Sequence, residues 1–407
     1  MTRPDLKIIV VGAGPAGLIL ALLLSKQGIP VTVLEATSEL DNRPRATHYG
    51  PPAMYELRRA GVLKDVLAEG FLPEKVCWRK LDGTFLAAVD NDIMKGDPDR
   101  GACLPLDRLG KVIARHLAKQ PTAEVIFNHK VLGIGQNDEK AWVNVSTPTG
   151  TITLEADYIV GCDGANSQIR RSLHGDMNFP GMTWDEQIVA TNVYYDFYKF
   201  GWEDANFIIH PEHWFMASRI TRDGMWRVSY GEKGGVSNEE LKARQPMKFQ
   251  QMLPGNPTPD QYRLANFSPY RVHQRLADKM RVGRFLLAAD AAHLCNPFGG
   301  MGLTGGIADV GGLYDCLYGI WSGQAGPEIL DRYDTVRRQK YNDIVNPISS
   351  QNLRRMHESD PDTVLEPGRD EFLEMCVKAE KDPKLSLQMA LWMNELRYDF
   401  TTEYTRT

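Results

Sequence analysis

The chain has 407 residues, room for one or two large domains, and its 43% hydrophobic and 24% charged residues give the balance of a soluble globular enzyme. A net charge of −5 argues against a nucleic-acid-binding surface, which would select a basic stripe. The six cysteines (Cys77, Cys103, Cys162, Cys295, Cys316 and Cys376) form no C-x-x-C pair, so neither a metal site nor a disulfide framework is indicated, and reduced thiols in a cytoplasmic protein are expected.

Residues 7–11 are a short β-branched apolar run, read as a buried strand. Residues 16–27 have helical character, Gly28-Ile29-Pro30 turns the chain, and 31–34 form a second strand ending at Glu35. This strand–helix–strand unit should be right-handed with parallel strands. Its apolar stretch is broken by Gly12, Gly14, Pro15 and Gly17 and lacks a small-residue cleavage pattern, so it does not read as a signal peptide; no other apolar run is long enough to span a membrane. Helices are predicted over 51–60, with proline in the first turn and Gly61 as the stop, and over 107–117, amphipathic through Leu109, Val112, Ile113 and Leu117. Strands at 125–127, 141–145 and 151–154 follow, the last two joined by a turn at Pro148-Thr149-Gly150, and 158–160 is another buried strand. From 188 to 230 aromatic residues crowd short alternating segments around the turn Thr221-Arg222-Asp223-Gly224, which indicates an antiparallel sheet beside the α/β core. A buried strand returns at 284–289. A glycine-rich turn at 297–306 then leads into a long helix at 304–321, a further helix at 329–340 and helix-prone polar sequence beyond 350.

Three motifs carry chemistry. Gly12-Ala13-Gly14-Pro15-Ala16-Gly17 follows a strand and opens a helix, and Glu35 ends the next strand 18 residues beyond Gly17. In that context Gly12 permits a tight turn, Gly14 lets the backbone approach a pyrophosphate, and Gly17 allows close helix–strand packing; the helix N-terminus offers free N–H groups to phosphate. Glu35 suits two ribose hydroxyls and repels a 2′-phosphate, so the site fits FAD or NAD better than NADP. Asp163-Gly164 ends a second strand, ahead of Ser167 and Arg170, and read alone is an ordinary strand-to-turn signal. Asp290 ends a third, and Pro297-Phe298-Gly299-Gly300-Met301-Gly302-Leu303-Thr304 then opens a helix with backbone N–H groups able to lie against a flat ring.

In this order and spacing, the motifs over residues 6–345 resemble those of the single-component (group A) FAD-dependent aromatic monooxygenases, the para-hydroxybenzoate hydroxylase and phenol hydroxylase superfamily. The resemblance implies an α/β fold: a discontinuous Rossmann-like FAD-binding domain of the GR2 type (1–75, 100–180 and 271–345), an antiparallel β-sheet substrate domain (76–99 and 181–270) and a C-terminal helical segment (346–407). It assigns FAD contacts to Gly12, Gly14, Pro15, Ala16, Gly17, Glu35 and Ala36 at the ADP half, to Arg45 and, as a second match, Arg43, to Asp163 and Gly164, to Asp290 at the ribityl chain, and to Pro297, Gly300, Gly302, Leu303 and Thr304 at the ring. Four positions depart from the pattern: Leu106 stands where a polar residue is often found, Ala289 replaces the glycine before the ribityl acid, and Met301 and Thr304 stand where glutamine and asparagine are common.

The resemblance further implies that NADH or NADPH, bound transiently, and dioxygen serve as co-substrates. A small aromatic or polyketide-like molecule would be hydroxylated or epoxidised through a flavin C4a-hydroperoxide. A group that lowers the pKa of a substrate phenol would favour the reaction. His210, His213, Arg219, Arg227, Tyr194, Tyr195 and Tyr230 are the candidates, led by Arg219, His213 and Tyr230. A flavin reductase of the same fold, or a non-catalytic FAD-binding protein, are the rival readings. A homodimer is compatible with the helical C-terminus.

Overall fold

Short, mostly apolar runs without polar alternation form strands that must be covered on both faces. In a computed structural model, which describes residues 6–42 and 45–405, four such runs are parallel neighbours: Phe285–Leu287, Tyr158–Gly161, Ile8–Val11 and Val31–Leu34. Ala123–Ile126 extends the sheet in parallel beyond Val31–Leu34, and Arg281–Val282 closes the other edge antiparallel, making six strands. The helix Pro15–Ser25 is buried from Gly17 to Ser25 and packs between this sheet and the helices Leu106–Leu117 and Met301–Ser322.

The predicted elements of this half lie within a few residues of those found. Pro51–Ala60 ends at Gly61, whose φ of +77° is the left-handed cap that glycine supplies. The expected strand at 284–289 stops at Leu287, because the chain turns left-handed at Ala289 (φ +55°). The long helix starts at Met301, capped by Gly300, one turn earlier than expected. The helix Asn238–Met252 was not predicted: Pro246 sits inside it, and only the Ser237 cap, whose side chain accepts from the Glu240 N–H, marks its start.

The second layer is an eight-stranded sheet in the order His293–Leu294, Arg263–Leu276, Gly181–Tyr194, Met225–Lys233, Phe215–Arg219, Ala205–Ile209, Lys75–Lys80 and Phe85–Asp90. Its first strand follows directly on the Asp290 turn, so the sheet is stitched to the flavin-motif strands through Leu276 opposite His293. Opposed residues share a face. Val189, Val193, Trp226, Val228, Tyr230, Phe215 and Ala217 form a core with Leu241, Phe249 and Met252 of the helix Asn238–Met252. The other face carries Ile188 and Met216, which pack with Trp214, with Phe298 of the glycine-rich loop, and with Leu353 and Met356 of the helix Asn346–Glu358. At the far end Trp78 and Ala87 meet Leu373, Cys376 and Met389 of the helices Glu371–Ala379 and Pro383–Leu391. The C-terminal helices therefore cover part of the face that looks toward the six-stranded sheet. Among the described residues no helix is long and apolar enough to cross a membrane.

Candidate functional site

Because four central strands are parallel, their carboxyl ends lie on one edge, and the turns after them carry the glycine loop, Glu35, Asp163 and Asp290. At the first turn Gly12 has φ +103°, and a Cβ there would lie 2.5 Å from the Cys162 carbonyl oxygen. A Cβ on Gly17 would lie 2.2 Å from the Gly12 oxygen. Gly14 is different: it is exposed, its φ of −68° and ψ of 168° suit any residue, and a Cβ would meet nothing within 4 Å. The fold has no need of glycine there, but a pyrophosphate drawn onto the helix start does. The Glu35 carboxylate accepts from the Ala13 N–H (2.9 Å) and from the Thr37 N–H (2.9 Å) and hydroxyl (2.8 Å), which fixes it against the loop. Pro15 and Ala16 open the helix beside it, and Ala36 is exposed just past Glu35. These features fit the ADP half of FAD.

Asp163 is turned inward. Its carboxylate accepts from the Ser167 hydroxyl and from the Gln168 and Ile169 N–H groups, so it caps its own short helix, with Gly164 at φ +76° making the turn. The buried Arg170 bonds the Ala291 and Ala165 carbonyls and lies over the Phe179 ring, tying this motif to the Asp290 turn. Asp290 itself is exposed, yet desolvation by the surrounding protein pushes its carboxyl above the ordinary range against the pull of His293 and Arg45. Arg45 is exposed and pairs with Asp41 at 3.1 Å; Arg43 lies outside the described residues.

A feature not anticipated from sequence stands behind Asp290. Asp309, fully buried on the long helix, accepts from Arg337 Nε (2.7 Å) and from the Ala289 N–H (3.0 Å), and pairs with His293 Nε2 (2.7 Å). It thereby holds Ala289 in its left-handed conformation, and Gly306, where a Cβ would come within 2.7 Å of the Ala289 Cβ, makes the space. The glycine expected at position 289 is thus replaced by an alanine that the surrounding structure constrains. Downstream, Pro297 bends the chain, Gly300 (φ +64°) leaves an open surface, and Gly302 and Leu303 are partly exposed. The Thr304 hydroxyl is spent on the Gly50 N–H at 3.1 Å.

The opposite wall is the face of the eight-stranded sheet that receives Phe298. Arg227 and Asn192 stand opposite one another on it, with Ser218 and Ser229 alongside. Arg227 donates through Nε and Nη2 to Asn192 Oδ1 (both 3.1 Å) and through Nη1 to the Arg45 carbonyl (2.5 Å), linking the sheet to the loop that carries Arg45. Burial lowers its pKa from the usual arginine value.

The three leading candidates are not on this wall. Tyr230 is fully buried on the other face beneath the helix Asn238–Met252, with no partner for its hydroxyl among the described residues. Arg219, also on the other face, bonds the Thr221 and Arg222 carbonyls and the Tyr198 hydroxyl near Asp204. His213 lies in a turn stacked on His210. The pairing register puts Arg227 beside Ser218 and on the opposite face from Arg219; alternation alone gives neither that register nor which face the cofactor domain covers. Tyr230→Phe is expected to leave turnover unchanged and stability unchanged or raised by about 1–2 kcal/mol, since it removes a buried unpaired hydroxyl. Denaturant melts and steady-state assays check this, and a large fall in kcat would return Tyr230 to the mechanism.

A family model described as an FAD-binding domain matches residues 5–347. Para-nitrophenol 4-monooxygenase of a Pseudomonas species is 40% identical over 356 residues, covering 87% of this chain and 88% of that protein. 6-Hydroxy-3-succinoylpyridine 3-monooxygenase of Pseudomonas putida is 36% identical over 357 residues, covering 87% and 90%. The crystal structure of p-nitrophenol 4-monooxygenase from Pseudomonas putida superposes with a TM-score of 0.89 at 37% identity over 98% of both chains. The parallel strand ends with their glycine cradle, the covering sheet and these relationships together place the chain in the FAD-binding family, among the single-component FAD-dependent aromatic monooxygenases.

Proposed function

We propose that the protein uses NAD(P)H and dioxygen to oxygenate a phenol at the ring carbon para to its hydroxyl, displacing the substituent that carbon carries. The carrying observation is the polar wall of Arg227, Asn192, Ser218 and Ser229 opposite the glycine-rich loop, which offers an anchor to the oxygen of a hydroxyarene. The regiochemistry follows the names of the two relatives: in para-nitrophenol attacked at position 4, and in a 6-hydroxypyridine attacked at position 3, the attacked carbon is para to the hydroxyl and bears the side group. FAD, when bound, supplies acceptance of hydride from NAD(P)H and activation of dioxygen. The protein groups orient the ring and exclude water.

For p-nitrophenol the balance is one NAD(P)H, one proton and one dioxygen consumed. One oxygen atom bonds to the para carbon and the other leaves as water. The nitro group departs with the C–N bonding pair as nitrite, and the ring leaves as the quinone. The test incubates FAD-loaded protein with NADH or NADPH and p-nitrophenol under ¹⁸O-dioxygen, following nitrite and product mass. Nitrite release with one labelled oxygen in the product is expected. Pyridine-nucleotide oxidation without label in any product would favour the reductase reading, and no stimulation by hydroxyarenes of either relative's kind would overturn the proposal.

A further inference from the structure

The glycine-rich loop is anchored through one side chain. Between Pro297 and Gly300 only Phe298 is buried, at 0% exposure, while Pro297 and Gly299 are half-buried and Gly300 is exposed. Its ring meets Trp214 edge-on, with centroids 5.4 Å apart, and Phe207 at 6.3 Å. Ile188 of the sheet and Leu353 and Met356 of the helix Asn346–Glu358 belong to the same apolar cluster. The sheet is shaped for this socket. Trp214 lies over Gly231, where a Cβ would fall 1.9 Å from its Cζ2. Gly231 stands inside the strand Met225–Lys233 without a left-handed φ, so no turn demands glycine there; the close approach of the indole does.

A buried polar relay pins the loop backbone to the same two elements. The Phe298 N–H donates to Asn296 Oδ1 (3.0 Å), and the Asn296 N–H donates to Gln274 Oε1 (2.6 Å). Gln274, on the strand Arg263–Leu276, donates through Nε2 to Asn346 Oδ1 and to the Ser349 hydroxyl, both at 3.0 Å. The far end of the loop is tied instead to the Gly50 N–H through Thr304. On the face that receives Phe298, Arg227 with Asn192 and Ser218 stands four residues before Gly231, about 13 Å along the strand.

We propose that Phe298 is a positioning residue: seated in the Trp214–Phe207 socket, it registers the flavin-ring loop on the sheet that carries the substrate wall. One rigid reference then sets the separation of flavin ring and substrate. This rests on the ring lying at that loop and, for its product assay, on the oxygenation reading above. A slack loop would misplace the ring and admit water. One NAD(P)H, one proton and one dioxygen would then end as NAD(P)⁺ and hydrogen peroxide, with the substrate untouched.

The test compares Phe298→Leu, which keeps the socket apolar but loses the ring, with Phe249→Leu, the same exchange at an equally buried position on the sheet's other face. Oxidised, FAD-loaded proteins are first titrated with iodide, which quenches flavin fluorescence where solvent reaches the ring. They are then given NAD(P)H, dioxygen and p-nitrophenol, and nitrite and peroxide are counted per NAD(P)H oxidised. In Phe298→Leu the quenching constant should rise about threefold or more and the nitrite yield fall about threefold or more, with peroxide making up the difference. Phe249→Leu should lower the urea midpoint comparably yet leave both readouts within about 1.5-fold. Trp214→Phe, which loosens the socket from the sheet side, should reproduce part of the effect and serves if Phe298→Leu does not fold. Socket variants with parental quenching and nitrite yield, or a Phe249→Leu variant that matches them in both, would overturn the proposal. If the parent protein oxygenates no hydroxyarene, the oxygenation reading falls and the iodide comparison alone decides the socket.

Discussion

Asp309→Asn is expected to destabilise the protein by about 3–5 kcal/mol, because it strips the countercharge from a buried cation. Arg337 is 3% exposed, donates to Asp309 at 2.7 Å, and has only the Leu396 carbonyl as a second partner among the hydrogen bonds described. An amide offers one acceptor where the carboxylate serves Arg337, His293 and the Ala289 N–H together. The damage should reach the cofactor. Ala289 pays for its left-handed φ through that N–H bond, and its release lets the neighbouring Asp290 drift. FAD affinity should therefore fall by about tenfold or more, a loss of at least about 1.4 kcal/mol. The pH dependence has a definite sign. Arg337 and His293 outweigh burial and hold the Asp309 carboxyl at about 2, below its ordinary 3.8. Its contribution is therefore complete above the ordinary range and is lost as pH falls through about 2. Urea melts of apo and FAD-loaded protein between neutral and acid pH measure all three effects. An asparagine variant within 1 kcal/mol of the parent, with unchanged FAD affinity, would show that the cluster is not what holds the Asp290 turn.

The cofactor half of this site was legible because its signals are local. A glycine with φ +103° and one where an added Cβ would fall 2.2 Å from a backbone oxygen are demanded within a single turn, and Glu35 follows at the end of the next strand. The covering sheet was legible as alternating aromatic strands, but its orientation was not. Arg219 and Arg227 are equally plausible in sequence. Only the pairing of Ser218 and Asn192 with Arg227, and the docking of Phe298 on that side, decide which arginine faces the cofactor domain. Asp309 gave no signal either, sitting inside a glycine-rich apolar helix whose partners His293 and Arg337 come from different elements.

Gly12→Ala and Gly14→Ala should separate what the fold requires from what the ligand requires, although the residues are two apart in one loop. At Gly12 a Cβ meets three backbone atoms, the Cys162 oxygen at 2.5 Å, the Cys162 carbonyl carbon at 2.8 Å and the Asp163 Cα at 2.9 Å, from a φ of +103° that alanine resists. Backbone cannot step aside as a side-chain tip can. The Gly12 N–H is bonded to the Leu34 carbonyl and the Cys162 N–H to the Val11 carbonyl, both at 2.8 Å, so moving either chain breaks the end of the sheet. Gly12→Ala should therefore cost at least about 3 kcal/mol and yield protein without flavin. Gly14→Ala has an ordinary backbone conformation and open space, so its apo stability should stay within about 1 kcal/mol and could rise through the unfolded chain's lost freedom. The added methyl then stands where the pyrophosphate approaches the helix start, and FAD should bind about tenfold or more weakly. Melting of both apo proteins, followed by FAD titration monitored through flavin fluorescence, reads the two effects separately. If Gly14→Ala bound FAD as tightly as the parent, the open face at Gly14 would not be the phosphate cradle, and the loop's third position would have to be explained by folding after all.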